Sequence, residues 1–223
     1  PALRLLRLGA PIGAQFVLEM GVFATVALLI GNLDAANGGD GAGIAGHQIA
    51  LQLASLSFMV PLGIGIAASV RVGWAVGRGD GQGVQRAAKA AIVLAVAAMT
   101  AFMLAFLLLP QTLAGLMTAE PAHLAMAMVL IPIAGVFQIG DGIQVAAIGC
   151  LRGLGDVRSP VLANVAGFWL LGLPLGLWLG HGRGHGASGL WWGLVLGLFV
   201  VAVALLAVLR VRVRGDQRRL AVD

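Results

Sequence analysis

Apolar residues fall along this chain in six blocks, at 8–33, 44–74, 87–109, 124–148, 161–180 and 188–209. Short stretches rich in glycine, charge or both separate them, and no block alternates polar and apolar residues as a barrel strand does. About 20 apolar residues, at 1.5 Å rise each, cross a hydrocarbon core of roughly 30 Å, so each block is long enough to span a membrane. Lipid offers backbone N–H and C=O groups no partners, and such a run closes its hydrogen bonds within itself as a helix. The pattern predicts an all-α membrane protein, with residues 1–223 forming a single six-transmembrane-helix bundle.

Composition agrees. Of 223 residues, 60% are apolar and 10% charged, and the mean hydropathy is +0.98. A soluble domain carries roughly 25% charged residues. The excess of 14 Lys and Arg over 9 Asp and Glu would suit nucleic acid, but the basic residues cluster between apolar blocks instead of lining one polar face. Nucleic acid is therefore excluded as a partner, and membrane lipid is the surrounding medium. The single Cys150 leaves no internal disulfide.

Charge also orients the bundle. With six helices in alternation, Arg4, Arg7, Arg71, Arg78, Arg86, Lys89, Arg152, Arg158, Arg210, Arg212, Arg214, Arg218 and Arg219 lie on one side, and Arg183 stands alone on the other. Thirteen basic residues against one predict a multi-pass cell-membrane protein, in the inner membrane of a bacterium, with both termini cytoplasmic. The non-basic loops, including Asp34 to Asp40, are too short for a domain of their own. No cleavable signal peptide opens the chain; Pro1 stands where a Met is expected, which points to a processed start or to a piece of a longer protein.

Glycines recur every fourth residue at Gly172, Gly176 and Gly180 and again at Gly189, Gly193 and Gly197, forming small-residue ridges that let helices approach closely in lipid. Packing within one bundle is favoured over homodimerisation through these ridges. Pro11, Pro61, Pro132 and Pro174 fall inside helices and are expected to kink them.

Glu19 and Asp141 are the acids inside apolar blocks. A carboxylate at mid-bilayer costs at least ~2.5–3.5 kcal/mol, so such a residue faces the bundle interior and serves a function there. Glu19 lies 12 residues after Arg7 and Asp141 lies 11 before Arg152, which puts both roughly 16–18 Å from the basic face, near the midplane. Gln15 and Phe23 flank Glu19 at i−4 and i+4, and Gln138 and Gln144 flank Asp141 at i−3 and i+3. Gln48, Gln52 and Ser55 of the second block and Asn164 of the fifth add polar groups to one chamber. Two acids buried together favour a bound proton or sodium ion between them, the physics needed to couple an ion to a conformational change. His47, at the outer end of the second helix, is expected to be a structural cap.

Other patterns carry less. His181 and His185 lie in a glycine-rich loop without a carboxylate or thiol nearby, so no metal site is expected beyond a sodium ion at Glu19 and Asp141. Gly77-Arg78-Gly79-Asp80-Gly81 lacks the Lys-Ser/Thr ending and the preceding strand of a phosphate loop. No cofactor and no enzymatic activity are expected.

Several stretches resemble the MATE (multidrug and toxic compound extrusion) family, in order. Leu8-Gly9-Ala10-Pro11 followed by Glu19 resembles the start of that family's seventh helix, and Ala45-Gly46-His47-Gln48-Ile49-Ala50 with Phe58-Met59-Val60-Pro61-Leu62-Gly63 its eighth. Arg71-Val72-Gly73 leads into the loop that follows. Residues 138–144 and Leu151-Arg152-Gly153-Leu154-Gly155-Asp156 resemble the tenth helix and its exit, and 168–176 with Gly189-Leu190-Trp191-Trp192-Gly193 the eleventh and twelfth. The resemblance implies one lobe of a two-lobe, cation-coupled drug antiporter, with the N-terminal lobe missing as a partner and a small-molecule drug as substrate. It also implies that Glu19 and Asp141 are the cation-site acids of this lobe. The chain has no Tyr; Phe137 stands one turn before Asp141 and Phe58 in the second-helix motif, each offering a π face and no hydroxyl.

Three functions compete at this point: a secondary antiporter exporting cationic or amphipathic drugs against sodium ions or protons, a lipid-linked oligosaccharide flippase of the same superfamily, and a non-transporting membrane scaffold. Basic residues mid-helix would favour the flippase, and costly buried acids argue against the scaffold. The orientation has a direct test. Single cysteines at Asn37 and Gln82 should label from opposite sides, Asn37 from outside; labelling of Gln82 from outside would reverse the topology.

Overall fold

A computed structural model describes residues 2–36, 38–39 and 41–215, with side chains from residue 9 onward. Asn37, Asp40, Arg218 and Arg219, and the side chains of Arg4 and Arg7, lie outside the described residues. Six helices long and apolar enough to cross a membrane follow one another: Ala2–Ala36, Ala42–Gly77, Gly81–Leu108, Pro121–Gly153, Arg158–Gly182 and Gly186–Arg214. The chain is a multi-pass membrane protein built as a six-helix bundle. Most helix ends run past the apolar blocks, because hydropathy stops at the first charges whereas a helix stops where its backbone groups find other partners. The third helix, for example, starts where the Asp80 carboxylate accepts the Gly83 N–H at 2.7 Å. It ends at Leu108, two residues before Pro110, which opens a short helix, Pro110–Gly115.

The fourth helix lies at the centre. It and the sixth bury 44% of their most apolar window, against 17% for the first helix. Its broadest contact is with the second helix, and glycine makes that contact close. A Cβ at Gly149 would strike the Gly65 carbonyl, and one at Gly153 would come within 2.7 Å of the Ser69 carbonyl. In lipid, dispersion between closely packed backbones replaces the hydrophobic drive available in water. The fifth and sixth helices use the same device. Gly193 sits against Gly176 and Gly172, and a Cβ at Gly197 would come within 2.7 Å of the Gly167 carbonyl. Both glycine ridges are thus consumed within one chain.

The prolines act unequally. The first, second and fourth helices continue through Pro11, Pro61 and Pro132. Around Pro174 the fifth helix instead widens, with π-helical turns over Val165–Gly172 and Trp178–Gly182. Leu173 N–H bonds Phe168 C=O, five residues back. Pro174 has no N–H and its ring crowds the carbonyl four residues earlier, so a wider turn relieves both problems.

Polar groups fix the helix ends. At one end, Asp34 Oδ2 accepts the Ile44 N–H at 2.9 Å, so the first helix caps the second. At the other, buried Asp156 accepts from Ser159 N–H at 3.0 Å and Ser159 Oγ at 2.7 Å, and pairs with Arg212 at 3.2 Å. That carboxylate both starts the fifth helix and holds the end of the sixth. The close approach of the second and fourth helices predicts a contrast. Gly149→Ala should lower the thermal unfolding midpoint of the detergent-purified protein, at a cost of about 1–3 kcal/mol. Gly63→Ala, where nothing lies within 4 Å of the new methyl, should be neutral or slightly stabilising. Equal effects at the two positions would mean that backbone contact does not set the helix spacing.

Candidate functional site

The two acids meet. Glu19 on the first helix and Asp141 on the fourth line one hollow of about 160 Å³, walled by Phe16, Phe23, Phe58, Phe137 and Trp191. Asp141 is 6% exposed, and its carboxylate is close enough to Glu19 for the two charges to repel. No described residue donates a hydrogen bond to it. Glu19 is half-buried and accepts one from Gln144 Nε2 at 2.6 Å. With its amide nitrogen so engaged, Gln144 presents a buried Oε1 that has no partner among the described residues.

A second hollow, about 200 Å³, shares Phe16, Glu19 and Phe58 with the first and extends towards the basic end past Gln15, Gln144 and Arg152. Arg152, counted among the thirteen basic residues of one side, stands in the last turn of the fourth helix and turns inward to line this hollow. It donates to Gln15 Oε1 at 3.1 Å, lies 5.6 Å from the centre of the Phe16 ring, and interacts electrostatically with Glu19. Its Nε is buried without a partner among the described residues. The signal was present in the sequence. Eleven residues are just over three helical turns, so Arg152 and Asp141 share one face of the helix.

The remaining expected residues divide. Gln15, Phe23, Phe58, Phe137 and Gln144 line one or other hollow. Gln138 is fully buried but turns to the second helix, where its Nε2 donates to Ser57 Oγ at 2.5 Å. Ser57 in turn donates to the Ala54 carbonyl at 2.8 Å. Gln48 and Gln52 are exposed and border neither hollow; they continue the stripe of Ser55, which does line the outer one. Asn164 is buried away from both, its amide unbonded by any described residue. His47 departs from expectation. It is fully buried and packs edge-on against Trp191 at 5.8 Å, while Gly41 occupies the cap position, because His47 lies more than a turn inside the helix.

Aromatic rings hold the hollows open. Phe23 meets Phe137 at 5.9 Å and Phe168 at 6.4 Å, and Phe137 meets Trp191 at 6.3 Å. Trp169, on the widened turn of the fifth helix, donates its indole N–H to the Leu18 carbonyl at 3.1 Å and lies against Gly21. That contact locks the first helix one residue from Glu19. No sequence pattern pointed to it, since the contact depends on how the fifth helix is wound.

Comparison with known proteins follows this geometry closely. The chain is 43% identical over 206 residues to the multidrug resistance protein NorM of Burkholderia vietnamiensis, covering 90% of this chain and 43% of that protein. It spans somewhat less than half the length of that relative. Among solved structures, a eukaryotic MATE transporter matches with a TM-score of 0.86 at 23% identity, over 96% of this chain and 46% of the other. An outward-facing multidrug resistance MATE family transporter of the MOP superfamily matches with a TM-score of 0.81 at 18% identity, over 98% and 47%. These likenesses establish the fold. Residues 11–178 match the MatE family model, and with the sequence identity to NorM this places the chain in the MatE family.

Proposed function

We propose that this chain is one lobe of a secondary active antiporter that exports cationic or amphipathic drugs in exchange for sodium ions or protons. It works in the bacterial inner membrane with both termini cytoplasmic and a second six-helix lobe opposite the hollows. The observation that carries the reading is the meeting of Glu19 and Asp141 in one aromatic-walled hollow beside a single tethered cation, Arg152. The name and identity of the Burkholderia vietnamiensis relative support drug export, and transporter sites commonly form between two repeats.

The chemistry is competition for negative charge. Two carboxylates side by side in a low-dielectric hollow repel each other, and a proton or sodium ion between them relieves the repulsion. For sodium, Gln144 Oε1 is an additional oxygen within the same cluster. A cationic drug entering between the five aromatic side chains needs the same charge, and cation–π contact with the rings adds affinity. Ion and drug then weaken each other's binding by linkage, which is the condition for exchange. Arg152 limits the site to about one net negative charge when both acids are ionised, so that one monovalent cation neutralises it.

The first helix is the element through which binding acts. It packs sparsely, and Gln144–Glu19 and Arg152–Gln15 tie it to the fourth helix. A cation on Glu19 competes with the Gln144 bond and loosens that tie. The flippase reading has less support, because among the described residues Arg152 is the one basic residue lining the two hollows. The scaffold reading loses the glycine ridges, which are used inside the bundle.

Asp141→Asn and Glu19→Gln in the full-length protein should each abolish ion-driven efflux of a cationic dye from vesicles while leaving expression and folding near normal. Full transport by both variants would make these acids structural and end the proposal. Arg152→Gln should instead change the ion dependence, because the site gains a second uncompensated negative charge. Half-maximal activation should then move to lower cation concentration by roughly tenfold or more, the effect of one nearby charge worth about 1.4 kcal/mol. Unchanged ion dependence would remove Arg152 from the site.

A further inference from the structure

A third hollow, about 540 Å³ and larger than either of those at the acids, lies between the second and third helices at the basic end. Three arginines line it: Arg71 from the second helix, Arg78 from the turn that follows, and Arg86 from the third. None of them pairs with a described acid; the ion pair among the described residues is Arg212 with Asp156. Asp80 is the acid within the hollow, and its Oδ1 is already engaged by the Gly83 N–H at the start of the third helix. All three arginines are exposed, so their charges are carried outward rather than spent inside the bundle.

The hollow is graded in polarity along the membrane normal. Arg71 lies six residues before the end of the second helix and Arg86 five after the start of the third, so both sit roughly 8–9 Å from the connecting turn. Beyond them, away from the turn, the walls become Ile64, Ala67, Ala90 and Leu94. Ala67 and Ala90 are exposed and Leu94 is 59% exposed, so this apolar part opens to the outside of the bundle. The space exists because the facing stripes carry alanine, where leucine would fill the gap.

We infer that this hollow binds an anionic phospholipid, with Arg71, Arg78 and Arg86 on the headgroup phosphate and the acyl chains along Ala67, Ala90 and Leu94. Guanidinium groups match phosphate in a bidentate fashion, and basic pockets between membrane helices suit anionic headgroups. A free phosphate would use the arginines but leave the apolar half in contact with water. An acidic protein or nucleic acid has no means of filling a wall that faces lipid. The lipid satisfies both halves, and the site stands apart from the acids, independent of the transport reading.

The test uses the purified full-length protein in nanodiscs, with lipids still bound on release counted by native mass spectrometry. The wild type should retain cardiolipin or phosphatidylglycerol in preference to phosphatidylcholine. Arg71→Gln/Arg78→Gln/Arg86→Gln should weaken retention on the order of 100-fold, as about 1 kcal/mol per basic residue gives over three residues. Each single variant, at an exposed position and so expected to fold, should weaken it about 5-fold on the same basis. Ala67→Leu/Ala90→Leu keeps all three charges and should still lose the lipid. Undiminished retention by the single arginine variants overturns the site. So does undiminished retention by the leucine variant, which would reduce it to surface charge, or full displacement of the lipid by inorganic phosphate. Equal retention of phosphatidylcholine by the wild type overturns it as well.

Discussion

The close contact of the second and fourth helices at Gly65 and Gly149 is the constraint on which the rest of this structure depends. It brings backbone against backbone, a spacing that any Cβ at Gly149 would prevent. In lipid no aqueous phase drives apolar faces together, so closely packed small residues do that work. With its spacing so set, the fourth helix becomes the fixed axis of the bundle, and every polar group on its inner face acquires a defined position. Asp141, Gln144 and Arg152 are such groups, and the second helix contributes Ser55 and Phe58 to the hollows beside them.

The first helix contrasts with this. It carries Glu19 and buries little surface. Directed polar contacts help to hold it: Gln144 to Glu19, Arg152 to Gln15, the Trp169 indole to the Leu18 carbonyl, and Asp34 to the Ile44 N–H. It also packs a narrow stripe, Val22, Val26 and Ile30, into the core, and an element with so small a packed face has a low cost of local rearrangement. The rigid helix and the loosely held one thus carry one acid each. A ligand that changes the charge between them acts directly on the contact that positions the first helix.

Charge in the bundle is sorted by what surrounds it. Asp156 is buried, yet its hydrogen bonds and Arg212 consume it, so it serves the fold. Glu19 and Asp141 line open space; Gln144 and Gln15 hydrogen-bond Glu19 and no described residue bonds Asp141, so neither is consumed by an ion pair. Arg152 stands between these cases, with one guanidinium nitrogen on Gln15 and another buried without a described partner. The same sorting separates Arg212 from Arg71, Arg78 and Arg86.

Much of this was legible in the chain alone. Six apolar blocks, each too long for a strand and unable to leave backbone groups unpaired in lipid, determined the helical bundle. The cost of a mid-bilayer carboxylate singled out Glu19 and Asp141, and i±3 and i±4 spacing attached Gln15, Phe23, Gln138 and Gln144 to them. The glycine ridges announced close packing and favoured a partner within the bundle, but which ridge meets which was decided by the fold, because a ridge fits any other ridge. Periodicity also places a residue on a face without saying which neighbour that face meets. Hence Gln138 turns to Ser57 rather than into the hollow beside Asp141, Gln48 and Gln52 extend beyond the hollows, and His47 packs on Trp191 instead of capping a helix. Arg152 looked like a loop charge because hydropathy ends where charge begins, whereas a helix ends where its hydrogen bonds do. The contact of Trp169 with Leu18 depends on the wide turns around Pro174 and on where the first helix lies against the fifth, and periodicity alone gives neither. Local chemistry determined which residues matter and at what depth. Which side chain meets which was decided by helix rotation and spacing, and these are set only when the whole bundle packs.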